Sequence, residues 1–197
     1  MEFLKALLYY GNGILFRVDQ GDADRVVTAE REMLLDAARD TRKKYLAGTL
    51  DNAELLIYID ALNSFSASRQ TEWVCEVSAE LHDILIGDTC LSGKIPETCI
   101  RTEGLQNILY GEAGIIARVR GGRAADVTPE ERNELIALAR GTNFAYRHGG
   151  LRSEELLIYI DIFDVLAVFR GEADWIWEIS ADIRDALMRD VDFKTED

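Results

Sequence analysis

The chain has 197 residues, of which 48% are apolar and 29% charged, and its formal net charge is −14. That length supports one or two domains with proper cores. The acidity works against binding to nucleic acid or an anionic membrane and favours a basic partner. It is spread evenly, −7 in residues 1–100 and −7 in the remainder, so it also serves plain solubility. With only two prolines, Pro96 and Pro129, the composition argues for helices rather than a β-sandwich or barrel.

The opening MEFLKALLYY has neither a basic leader nor a small-residue cleavage site, and no apolar run approaches membrane-spanning length. A cytoplasmic protein with no membrane association is expected. Its three cysteines, Cys75, Cys90 and Cys99, would be reduced there. Cys90 and Cys99 flank a short loop and could bridge in an oxidising compartment. No CxxC pair suggests zinc.

In chain order, the first helix carries apolar residues at Leu4, Leu7, Leu8, Ile14, Leu15 and Val18, the spacing of one helical face. Gly11 and Gly13 weaken it, and Gly13 is placed to allow a close helix crossing. The acidic stretch Asp19–Asp24 lacks the alternating ligands and closing Glu of a calcium loop, and reads as a solvated turn. The second helix presents Leu34, Ala38, Thr41 and Tyr45 and stops at Gly48. The third opens with an Asp51/Glu54 capping box and a Leu50/Leu55 staple. It contains the heptapeptide ELLIYID, Glu54–Asp60. The fourth begins near Thr71 with the stripe Val74, Val77, Leu81, Ile84 and Leu85, and His82 is expected on its surface. Residues 88–104, with glycines and a proline, read as a linker. Gly87 to Lys94 misses the spacing of a phosphate loop by one residue and has Ile95 at the magnesium-binding position.

ELLIYID then recurs at Glu155–Asp161, 101 positions on. Around it the whole pattern returns. Leu105, Ile108, Leu109, Ile115, Ile116 and Val119 form the first face, with Gly114 matching Gly13. Thr128-Pro129-Glu130-Glu131 is a strong helix start. Leu135, Ala139, Thr142 and Tyr146 follow, with His148 near the helix end and Gly149 as the stop. The third helix of this half is apolar on two sides. One stripe is Leu156, Ile160, Phe163, Ala167 and the other is Ile158, Ile162, Val165, Phe169, which makes it a central helix. One residue is gained after Arg170, and EISADIRD then matches EVSAELHD of the first half. The last stripe is Ile176, Ile179, Ile183, Ala186 and Leu187.

The expectation is an all-α tandem duplication of a four-helix unit: about eight helices in two pseudo-symmetric bundles. The units are residues 1–87 and 105–190, joined by the linker 88–104 and followed by a charged tail, 191–197.

No catalytic, metal or cofactor motif is found, and no cofactor is expected. The basic clusters Arg42-Lys43-Lys44 and Arg118/Arg120/Arg123 are small against the total acidity, so nucleic-acid binding is not expected. Arg39 with Asp60, and Arg140 with Asp161, are positioned for an equivalent structural ion pair in each half; acid–base catalysis is the alternative role. The halves differ on the outer stripe of the third helix, which is Ile57, Ala61, Ser64, Ser68 in the first. Val165 and Phe169, with Trp177 where the first half has Cys75, are therefore expected to form an apolar patch. It would serve a partner, inter-lobe packing or a homodimer. The functional expectation is a non-catalytic acidic module that binds a basic protein, of the inhibitor or immunity-protein kind. The alternatives are an adaptor or regulatory scaffold working through the apolar patch, and an enzyme without a linear motif.

Overall fold

The computed structural model describes residues 1–68, 71–87, 89, 100–111, 113–191 and 193. Helices account for all the regular structure among them, with no strand. In order they are α1 (Glu2–Leu8), α2 (Ile14–Asp19), α3 (Thr28–Leu46), α4 (Asn52–Ser68), α5 (Glu72–Ile86), α6 (Ile100–Tyr110), α7 (Ile115–Arg120), α8 (Pro129–Arg147), α9 (Ser153–Phe169) and α10 (Asp174–Leu187). Short 3-10 turns at Ala23–Arg25 and Ala124–Asp126 precede α3 and α8.

The expected first helix is two helices in each half. The chain breaks between Leu8 and Ile14, and Gly13 is the N-cap of α2 rather than a crossing point between long helices. A Cβ at Gly13 would lie 2.5 Å from the Leu8 carbonyl oxygen, and one at Gly114 would be closer still to that of Leu109. The corner is tight enough that only glycine leaves room for the preceding backbone.

Each corner is then held by a buried arginine. Arg17 on α2 donates to the Arg25 carbonyl and to both carboxylate oxygens of Glu30. Glu30 in turn accepts from the Val27 amide at the start of α3. Arg118 repeats this with Asp126 and Glu131. There Thr128 completes the expected capping box by accepting from the Glu131 amide. At α4 the expected box does not form. Asp51 accepts from the Ala53 amide, but Glu54 is buried and pairs with Thr41 and Lys44.

The central helices behave as their two apolar stripes require. Every residue from Ala53 to Leu62 and from Glu155 to Phe163 is buried. Such helices must be covered all round, and α4 and α9 make the most extensive helix–helix contact in the molecule, with each other. At their N-terminal ends Asn52 donates to the Leu151 carbonyl, and Ser153 donates to Asn52 Oδ1 at 2.7 Å. Equivalent positions of the two halves therefore touch. Outside this pair, α5 packs on α3, α4 and α9, and α10 on α8, α4 and α9.

One continuous apolar cluster runs from Leu4 to Phe193 and draws on both halves. Two separate bundles are not what forms, because α4 and α9 each use one side for their own half and the other for the opposite half. The expected linker and tail also shrink. Residues 100–104 belong to α6 and Thr102 is buried, while Phe193 is buried and stacks on Tyr9. Apart from Thr89, the rest of the linker, with Cys90, Cys99 and most of the Gly87–Lys94 stretch, lies outside the described residues, as do tail residues 192 and 194–197.

Candidate functional site

The four charged residues singled out in the sequence are not paired as expected. Arg39 is exposed and bonds Asp36 at 2.7 Å and Glu80 at 2.9 Å, not Asp60. Arg140 is exposed on α8. The two aspartates instead reach into the opposite half. Asp60 on α4 receives Nε and Nη2 of Arg184 on α10, at 2.9 and 2.8 Å. Asp161 on α9 receives Nε2 of His82 on α5 at 3.1 Å, with Arg120 at 3.6 Å. Arg184 and His82 hold equivalent places in the two halves, so the exchange is reciprocal. His82 is thereby a half-buried bridging residue, not a surface one. A tyrosine backs each carboxylate: Tyr9 donates to Asp60 at 2.8 Å and Tyr110 to Asp161 at 2.6 Å.

The electrostatics suit a latch better than acid–base chemistry. Burial and the adjacent carboxylate push both tyrosine hydroxyls far above their ordinary range, so neither ionises near neutrality. Burial works against ionisation of Asp161, but the hydrogen bonds from His82 and Tyr110 prevail and hold its carboxyl below the usual range. Burial opposes the charge on His82 as well. The bond to Asp161 and the nearby Asp164 and Asp83 outweigh it, and its pKa is raised. Burial pushes Asp164 up.

The expected apolar patch is dispersed. Val165 is 2% exposed and belongs to the core, because the side of α9 that carries it faces inward in the shared core. Phe169 is half-buried against that core. Trp177 alone of the three is open, at 49% exposure, with the Arg170 guanidinium 5.8 Å from its ring centre. Arg170 also donates to the Ser66 carbonyl of α4, which ties the ring's surroundings to the first half.

What surrounds Trp177 was not anticipated. The outer face of α10 carries Asp174, Glu178, Asp182 and Asp185, all exposed. The outer face of α5 carries Glu72, Glu76, Glu80 and Asp83 in the equivalent places, also exposed. Steps of four, four and three keep each set on one side of its helix. Among the described residues counter-charges reach these ridges only in part: Arg39 meets Glu80, His82 meets Asp83, Arg184 meets Asp185, and Arg132 lines a groove with Glu178 and Asp182. Like charges so spaced destabilise a helix by about 0.2–0.5 kcal/mol per pair. The signal was available in the sequence. An acid stands at all four matched positions, although the Glu/Asp choice changes at two of them and Cys75 becomes Trp177 between them.

Among the described residues no group of three or more His, Cys, Asp or Glu side chains is arranged to hold a metal ion. No helix there is long and apolar enough to cross a membrane. Comparison of the chain with protein-family models, with curated proteins and with solved structures gives no match.

Proposed function

We propose that this chain is a non-catalytic acidic module that captures a basic protein in the cytoplasm, as an inhibitor or immunity-type protein does. The observation that carries the proposal is the matched pair of acidic ridges on α5 and α10. Charge is kept at all four equivalent positions, at two of them with the side chain changed between Glu and Asp. Packing does not require these residues, since they face solvent, and their mutual repulsion works against the helices that hold them. A basic partner would relieve that repulsion and be steered in by it. In this reading the two halves descend from one duplicated helical unit, so the ridge is presented twice.

The test is binding of an arginine- and lysine-rich peptide to the full chain, followed by fluorescence anisotropy. Charge reversal at Asp174, Glu178 and Asp182 to Lys should weaken binding at least about tenfold. Wild-type binding should fall steeply once the Debye length drops below about 10 Å. Binding indifferent to both salt and charge reversal would refute the proposal. The exposure of Trp177 favours a second reading, an adaptor with an apolar contact. Salt-resistant binding of a partner that Trp177→Ala abolishes would select it.

A further inference from the structure

A notch of about 70 Å³ opens between the ends of α4 and α9 and the first half of α5. A cavity of roughly 150 Å³ holds benzene and one water takes about 30 Å³, so the notch has room for about three or four heavy atoms. That is the size of a short branched side chain, and too small for a cofactor. Phe65, Val74 and Ala167, all buried, form its apolar floor. Val168, 56% exposed, and Cys75, an exposed free thiol, stand at its mouth.

The equivalent place between α10 and α4 is bridged. Ser180 donates to Asn63 Oδ1 there at 3.2 Å, whereas their counterparts, Ser78 and Asp164, both line the notch. Trp177 stands in the position of Cys75, so the first half has a thiol where the second has an indole. On a helix of 3.6 residues per turn, Glu72 lies about 60° and Glu76 about 100° around from Cys75. The notch therefore opens beside the exposed acidic ridge of α5. Among the described residues the ion pairs of that ridge are made farther along, at Glu80 and Asp83. Arg170, at the Ser66 end of the notch, is held by the Ser66 carbonyl over Trp177.

We infer that the notch at Cys75 receives a short apolar side chain of the basic partner, about the size of valine, while lysines or arginines beside it in the partner lie along the acidic ridge of α5. The apolar floor favours an apolar occupant, because a charge set against it would lose its hydration. The surrounding carboxylates favour a basic segment on either side and repel an acidic one. Charge steers the partner in, and the buried anchor fixes where on the ridge it sits. The inference deepens the basic-partner proposal and rests on it for the flanking charges.

The experiment uses the full chain and two short peptides rich in lysine and arginine, one with valine and one with alanine at its centre. With the valine peptide at about ten times its Kd, alkylation of Cys75 by iodoacetamide should slow about tenfold. Mass spectrometry of the digested chain reads Cys75 apart from Cys90 and Cys99, and this measurement needs no variant. The alanine peptide should bind at least about tenfold more weakly, since even one methylene is worth that much in an apolar pocket. Cys75→Trp, a change at an exposed position that copies the second half, should remove the preference for valine without lowering Tm. Unslowed alkylation, equal affinities of the two peptides, or a valine preference that survives Cys75→Trp would each overturn the inference. Alkylation that slows as the chain's own concentration rises, with no peptide present, would put a second copy on the notch and overturn it too. Salt-sensitive binding of both peptides with equal affinity and no protection of Cys75 removes the notch and leaves the acidic-module proposal standing. A peptide with serines in place of its basic residues that protects Cys75 equally well removes the module proposal and leaves the notch.

Discussion

Asp60 and Asp161 occupy the same place in two copies of one heptapeptide, yet their partners differ in kind. Asp60 faces a permanent cation, Arg184. Asp161 faces His82, whose charge depends on pH. Since the folded pKa of His82 is raised above 6.5, its contribution to stability is complete below that value and is lost as pH rises through the folded pKa. Asp161 is shifted down from 3.8, so its contribution is present above that value and disappears on acidification. The contact between α5 and α9 is thus strongest between these two limits. Asp83 and Asp164 also face the imidazole, and Arg120 lies against the same Asp161 oxygen; Asp164, raised from 3.8 by burial, loses its own contribution as pH rises above 3.8 through its folded pKa, separately from the loss at His82. Thermal melts of the wild type across neutral pH should show Tm falling by about 2–4 °C for each kcal/mol lost in a chain of this length. His82→Arg, which copies Arg184, should flatten that slope. An unchanged slope in this variant would show that the imidazole does not carry it.

At the scale of the element, the corner between α1 and α2 shows how one residue decides where a helix ends. Apolar spacing alone carries the pattern from Leu4 through Val18 as a single face. The backbone turns at Gly13 because the Leu8 carbonyl occupies the space a Cβ would need, and the Arg17–Glu30 pair then fixes the next helix against the corner. Gly13→Ala should cost about 1–3 kcal/mol, and Gly114→Ala a similar amount. Gly171→Ala should be close to neutral, since nothing lies within 4 Å of a Cβ there and its φ is not positive. Chemical denaturation of the three variants checks the order. Equal effects would mean that the corner is not tight.

At the scale of the whole molecule, α4 and α9 join the halves into one core. Residues 1–87 expressed alone would leave one side of α4 uncovered, with Ile57 and Ala61, both 0% exposed in the intact chain, on its outer stripe. That fragment is expected to lack a cooperative thermal transition, or to associate with itself or with residues 100–193. The intact chain should melt in a single step. A fragment that melts cooperatively as a monomer would count against the shared core.

Much of this was legible in the amino-acid order. The helical class, the stripes on α3, α5, α8 and α10, the stops at Gly48 and Gly149 and the central role of ELLIYID all follow from local spacing, because a helical face is a property of neighbours in sequence. The polar letters of that heptapeptide were only half read. Glu54 is spaced for a cap but pairs inside with Thr41 and Lys44, and Asp60 is spaced for Arg39 where the fold gives it Arg184. Whether Val165 faces a partner or the core, and whether the halves stand apart or share an interior, were likewise decided by tertiary structure. A sequence states which faces are apolar and which residues carry charge. Which face covers which, and which charge meets which, depends on how helices far apart in the chain settle against one another.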